Sequence, residues 1–97
     1  MLKYVCFWKL KDNAGDEGSK LVRQYLDELP RRIGWVRSWT WGQASGTVGE
    51  PFSYGFTAEF DHLTGLNGYL KHPDRLAIEK RLAPYVAEQV SAYYETP

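Results

Sequence analysis

The sequence predicts a small α+β domain of the ferredoxin-like kind, with element order β-α-β-β-α-β. Three observations predict it. Apolar and polar residues alternate over 33–42 and again over 52–60, the period of a strand. An apolar stripe at helical spacing runs from Leu21 to Leu29. Pro73 divides a second helical region that begins at Asp61. This order gives a four-stranded antiparallel sheet with two helices on one face.

Each element has its own reason. Residues 2–10 carry apolar groups on both faces, including Val5, Phe7 and Trp8, as a strand covered on both sides does. Asp12, Asn13, Gly15, Asp16 and Gly18 mark 11–18 as a loop. Leu21, Val22, Tyr25, Leu26 and Leu29 then form one helical stripe, which Pro30 is expected to end. On the strand over 33–42, Trp35, Arg37, Trp39 and Trp41 share one face. Ser45, Gly46, Gly49 and Pro51 give 43–51 the character of a flexible hairpin loop. Phe52, Tyr54, Phe56, Ala58 and Phe60 share a face of the next strand. Pro73 suits the first turn of a new helix, whose inner stripe is Ile78, Leu82 and Tyr85. Pro84 ends or bends that helix, and residues 88–95 form the last strand.

The chain has 97 residues, which makes residues 1–97 one domain. A domain of this size buries only about 60–70 % of its unfolded surface, so association would add useful burial. Aromatics reach 15 %, with four Trp and seven Tyr, a composition enriched at interfaces and pockets. Twelve basic residues balance twelve acidic ones, so there is no charge footprint for nucleic acid or an anionic membrane. Cys6 is the only cysteine and no Cys/His spacing suggests zinc. The first ten residues are too short and too interrupted by Lys3 and Lys9 for a membrane span. These features together read as a cytoplasmic protein.

Two helices cover only one face of such a sheet. Three Trp on one strand face would leave a large apolar patch on a monomer. A second copy packed sheet to sheet buries that patch twice, so a homodimer through the open face is expected. The alternative is that some of these Trp lie against the helices and no dimer forms.

Several segments resemble the stress-responsive dimeric α/β-barrel (Dabb) family. They are Lys3 to Asp12, Ile33 to Ser38, Ala58 to Asp61, the Tyr69-x-x-His72-Pro73 element and the closing Tyr93-Tyr94-Glu95. The resemblance covers nearly the whole chain, and Tyr69-x-x-His72-Pro73 is its most specific piece. It implies a dimer whose two sheets form a barrel, with a cavity between helices and sheet in each subunit. It also points to plant polyketide cyclases of the olivetolic-acid-forming type, which close a poly-β-keto chain by aldol condensation without a cofactor. Tyr69 matches the tyrosine of their motif and His72 its first histidine. Arg75 stands where the cyclases carry their basic histidine, and Tyr4 stands where they carry a histidine on the first strand.

Four residues are therefore candidates for chemistry: Tyr69, His72, Arg75 and Tyr4. Tyr69 can hold a carbonyl oxygen as an oxyanion forms. His72 either acts as a base or bonds the backbone groups freed at the helix break. Arg75 either binds an enolate or carboxylate or is a surface Arg in a first helical turn. Tyr4 either faces the cavity or is a core tyrosine with one satisfied hydroxyl. His62, beside Asp61 at the helix start, reads as solvated. Cys6, Trp8, Leu26, Ala58, Ile78 and Val86 are the expected apolar wall of the ligand space, with Cys6 a small hydrophobe and not a nucleophile. Three functions are compatible: a dimeric barrel that holds a small apolar ligand, a cofactor-free cyclase or lyase acting on a polyketide-like carbonyl compound, and a cofactor-independent monooxygenase.

Overall fold

The computed structural model describes residues 1–44 and 52–97. The elements run β1 (Leu2–Leu10), α1 (Gly15–Arg32), β2 (Ser38–Gln43), β3 (Tyr54–Phe60), α2 (Leu63–Leu70), α3 (Pro73–Leu82), a 3-10 turn (Ala83–Tyr85) and β4 (Val86–Glu95). The four strands form one antiparallel sheet in the order β2-β3-β1-β4. This is the ferredoxin-like arrangement, with the second helical region split in two at Pro73. Most of the expected hairpin loop over 43–51 lies outside the described residues. Among the described residues no helix is long and apolar enough to cross a membrane.

Strand parity builds the core. The even residues of β1 (Leu2, Tyr4, Cys6 and Trp8) point to the helices and are buried. On β3 it is Tyr54, Phe56, Ala58 and Phe60 that do so. From α1 come Leu21, Val22, Tyr25, Leu26 and Leu29, and from α2 and α3 Leu66, Tyr69, Ile78 and Leu82. Their apolar areas meet in one continuous cluster.

Three of the boundaries that differ from the pattern reading have a clear cause. α1 begins at Gly15, inside the expected loop, where the backbone takes a positive φ of 58° that glycine tolerates. It also runs through Pro30 to Arg32. Pro30 lacks the N–H that would bond the carbonyl of Leu26, four residues back. That carbonyl instead accepts from the Trp39 indole nitrogen at 3.0 Å, so a side chain from β2 repairs the helix. β2 starts only at Ser38, because Val36 N–H turns back onto the Ile33 carbonyl at 3.3 Å.

The Trp placement corrects the argument about the open face. Trp39 and Trp41 pair with Ala58 and Phe56 of β3, so they lie on the helix side. Trp39 stacks on Phe56 at 4.5 Å between ring centroids. Trp35 precedes β2 and lies over Gly65 and Gly68 of α2, donating to the Gly65 carbonyl at 2.8 Å. The outer face is apolar for another reason. Val5 and Phe7 of β1 pair with Ala92 and Val90 of β4, and Tyr94 continues the stripe. Phe7, Val90 and Tyr94 are exposed there.

The repair of α1 by Trp39 is testable. Trp39→Phe keeps an aromatic ring but orphans the Leu26 carbonyl, which should cost about 1–3 kcal/mol. Adding Pro30→Ala restores a backbone N–H at that carbonyl. Urea unfolding of the four members of this double-mutant cycle should show a favourable coupling of about 1 kcal/mol. Simple additivity would mean that the indole does not substitute for the missing amide.

Candidate functional site

A polar cluster lies inside the aromatic core, at the end bounded by α3 and β4. Tyr25 of α1 and Tyr69 of α2 share a hydrogen bond between their hydroxyls. Arg75, in the first turn of α3, donates from Nε to the Tyr25 hydroxyl at 3.2 Å and from Nη1 to the Leu70 carbonyl at 2.9 Å. Its guanidinium also lies over the Tyr69 ring, 5.4 Å from the centroid. The third side of the guanidinium meets Glu79 at 3.2 Å, an i,i+4 pair on α3 that is largely withdrawn from solvent. Gln89 of β4 reaches across to Glu79 at 3.4 Å and to Cys6 Sγ at 3.5 Å.

Burial sets the charge states. Tyr25 and Tyr69 hold their protons well above the usual phenol range, chiefly because burial penalises the phenolate. Tyr4 is raised for the same reason, against a hydrogen bond with Ser91. The Cys6 thiol is pushed up to about 11 by burial. Burial works against the Arg75 charge, but Tyr25, Glu79 and Tyr69 outweigh it and leave the guanidinium more basic than usual. The cluster is therefore one part-buried cation, one carboxylate paired with it, and neutral hydroxyls.

The structure brings Tyr69, Arg75 and Tyr4 into one neighbourhood. The Tyr4 ring meets the Tyr69 ring edge-on at 5.8 Å. His72 is oriented differently. Helix α2 ends at Leu70 and the chain turns before α3, so His72 is the N-cap of α3. Its Nδ1 accepts from the Asp74 amide at 3.1 Å, and its ring faces Trp35 at 6.0 Å. His62 is exposed at the N-cap of α2. The expected wall residues Cys6, Trp8, Leu26, Ala58 and Ile78 are all buried in the core, and Val86 is packed half-buried against it. Tyr25, Glu79 and Gln89 were not singled out from the sequence. Tyr25 reads there as one more member of an apolar stripe. Glu79 was visible as the i+4 partner of Arg75.

The helix layer stops short of β4. Gln89, Ser91 and Tyr93 pair with the buried β1 residues Trp8, Cys6 and Tyr4, so they point to the helix side. Yet all three are exposed. The polar cluster therefore sits next to a stretch of sheet that no helix covers. Elsewhere, a cleft of about 400 Å³ opens on the outer face beside Phe7, Gly42 and Gly55, and one of about 380 Å³ lies beside Trp35 and α2. Among the described residues no cluster of His, Cys, Asp and Glu is built to hold a metal.

With this geometry in place, comparison with known proteins gives the class. The family model of the stress-responsive A/B barrel domain (Dabb) matches residues 2–96, and the chain belongs to that family. Among solved structures it is similar to a dimeric ferredoxin-like protein of unknown function from Thermobifida fusca. The TM-score is 0.83 at 21 % identity, over 98 % of this chain and 90 % of that one. A dimeric ferredoxin-like protein from Bacteroides fragilis gives 0.80 at 25 % identity, over 98 % and 95 %. The hydroxynitrile lyase of Passiflora edulis gives 0.81 at 16 % identity, over 96 % and 90 %. None of the curated proteins gives a match to the chain.

The raised phenols predict how stability depends on pH. Below about pH 10 both folded and unfolded tyrosines are neutral and nothing is lost. Above it the unfolded chain ionises first while Tyr25 and Tyr69 resist, so stability falls as pH rises. Urea unfolding between pH 8 and 11 should show that decline. Tyr69→Phe should flatten it, and an equally steep decline in the variant would assign the effect to other groups.

Proposed function

We propose that the protein is a homodimeric barrel that holds a small hydrophobic molecule between its helices and its sheet, with the Tyr25–Tyr69–Arg75 cluster as the polar anchor. The observation that carries this reading is the cluster's position. Polar groups this deep cost free energy unless they are satisfied or used. Here a part-buried cation and two buried, neutral phenols lie beside Cys6 and Ile78, next to the uncovered helix side of β4. Cys6, Trp8, Leu26, Ala58, Ile78 and Val86 supply the apolar wall, the division of labour common in small-molecule sites. No cofactor is needed for this role, and a reducing cytoplasm suits the buried free thiol of Cys6.

The dimer follows from the outer face. Val5, Phe7, Val90, Ala92 and Tyr94 form a continuous apolar stripe that the helices do not cover. Two structurally similar proteins are described as dimeric. Packing the stripe on itself is the simplest closed arrangement.

A second reading is favoured by Arg75 alone. A guanidinium beside two phenols can stabilise an enolate or other oxyanion, which suits a cofactor-free lyase or a cyclase of the olivetolic-acid type using Tyr69, Arg75 and Tyr4. That reaction also needs a base. His72 spends Nδ1 on the α3 cap, and Glu79 is paired with Arg75. Binding therefore ranks ahead of catalysis, and a cofactor-independent monooxygenase follows behind both.

Native mass spectrometry on protein purified from its source cells tests the proposal. The expected result is a dimer carrying a small organic molecule. Arg75→Met should lose the molecule and keep the dimer, and Phe7→Glu should shift the protein towards monomer in analytical ultracentrifugation. A wild-type monomer would overturn the sheet-to-sheet pairing, and an empty dimer the ligand.

A further inference from the structure

Away from the core cluster and the apolar stripe, the helix layer carries a cleft of mixed aromatic and polar character. It measures about 380 Å³ and is lined by Trp35, Asp61, His62, Thr64, Gly65 and Gly68. Trp35 is 44 % exposed, although tryptophan is on average a well-buried side chain. Its indole is nevertheless fixed in place. Nε1 donates to the Gly65 carbonyl at 2.8 Å, and the ring rests on the two glycines of α2. A Cβ at Gly65 or Gly68 would stand only 3.3 or 3.2 Å from the ring, so the close approach depends on glycine. With its N–H spent, Trp35 offers the cleft an apolar ring surface and no donor.

The rim is polar and electrically balanced. Arg37 donates from Nε and Nη2 to one oxygen of Asp61, Oδ2, at 2.9 and 2.7 Å. That pairing matches the carboxylate charge and leaves Oδ1 as an acceptor. The Thr64 hydroxyl and the His62 imidazole are exposed and make no hydrogen bond to the described residues.

These groups select a ligand class. An anion would meet the Asp61 carboxylate and a cation the Arg37 guanidinium, so net charge gains nothing here. A wholly apolar body would take water from three polar groups and return no hydrogen bond. A nucleobase has fixed donors and acceptors and must match the rim in one register. Sugar hydroxyls both donate and accept, so they suit Asp61, His62 and Thr64 in either role. The weakly positive C–H face of a sugar ring also suits the negative face of an indole.

We propose that this cleft is a binding site for a neutral saccharide. Trp35 is the platform for one pyranose ring, and Asp61, His62 and Thr64 are the partners of its hydroxyls. The cleft lies in the helix layer, so sheet-to-sheet pairing leaves it open, and it does not depend on the ligand proposed for the core.

The test titrates the intact protein, labelled with nitrogen-15, with cellobiose, lactose and maltose in turn. Its four Trp give four indole N–H signals, and Trp35→Phe assigns one by its loss. At least one disaccharide should shift the Trp35 indole and Thr64 amide signals saturably. Trp35→Ala should weaken that disaccharide about tenfold, the loss of one stacked aromatic surface. Thr64→Val replaces an exposed hydroxyl at constant shape, so it keeps the fold even if Trp35→Ala disturbs it, and should weaken binding about threefold. Adenosine and choline are titrated alongside. Tighter binding of either at these signals than of all three disaccharides would overturn the saccharide assignment. No shift with any disaccharide, or binding that Thr64→Val and Trp35→Ala both leave unchanged, would overturn the site.

Discussion

Tyr25 sits where α1, the sheet and the α2–α3 pair meet, and its two ends do different work. Its ring packs against Trp8 and Phe56 of the sheet and faces Trp39. Its hydroxyl joins Tyr69 and Arg75. A phenylalanine would keep the first set of contacts and lose the second. Arg75 would then lack one of its acceptors, and Tyr69 would be a buried hydroxyl without a partner. The position of α3 over the sheet thus depends on a polar contact made inside an apolar core. That is a costly way to hold a helix, and it makes sense where the polar groups serve something else as well.

The fold was legible because its signals are periodic. Alternation along β2 and β3 and the stripe on α1 each repeat over several residues, so one ambiguous position does not matter. The misplaced boundaries are instances where a tertiary contact overrides a local rule. Pro30 is a helix breaker in isolation. In the folded chain its main cost is an orphaned carbonyl, and a tryptophan thirteen positions beyond Leu26 removes that cost. No window-based reading contains that information. The facing of the Trp-rich strand failed for a related reason. Alternation says that two sets of residues oppose one another, but not which set meets the helices. Here both sets looked plausible, because the other strand face carries Ser38 and Thr40 and the outer sheet face draws its apolar character from β1 and β4.

The site was legible only in part. Tyr69 and Arg75 stand out as polar groups near a helix break, and the structure joins them. Tyr25 was hidden because a tyrosine in an apolar stripe looks like packing, and its partner lies forty-four positions away. His72 shows the opposite problem. A spacing of three from Tyr69 implies a shared helical face, but the break before Pro73 rotates the chain between them. Its imidazole then does what the position before a proline-started helix favours, accepting from the Asp74 amide.

β1 connects the two faces of the molecule. Its even residues Tyr4, Cys6 and Trp8 face the helices, and its odd residues Val5 and Phe7 look out onto the apolar stripe. Packing a second sheet against that stripe fixes Val5 and Phe7, and through the pleat it fixes the Cα positions of their neighbours. The same holds for β4, where Val90 and Ala92 face outward while Gln89 and Ser91 face the uncovered helix side. A lone subunit would carry β4 at the exposed edge of its sheet, with Gln89 free to leave Glu79 and Cys6. A paired subunit would hold it still. A second copy packed on the stripe would therefore order the helix side of the same strands through the strand period itself, with no moving part.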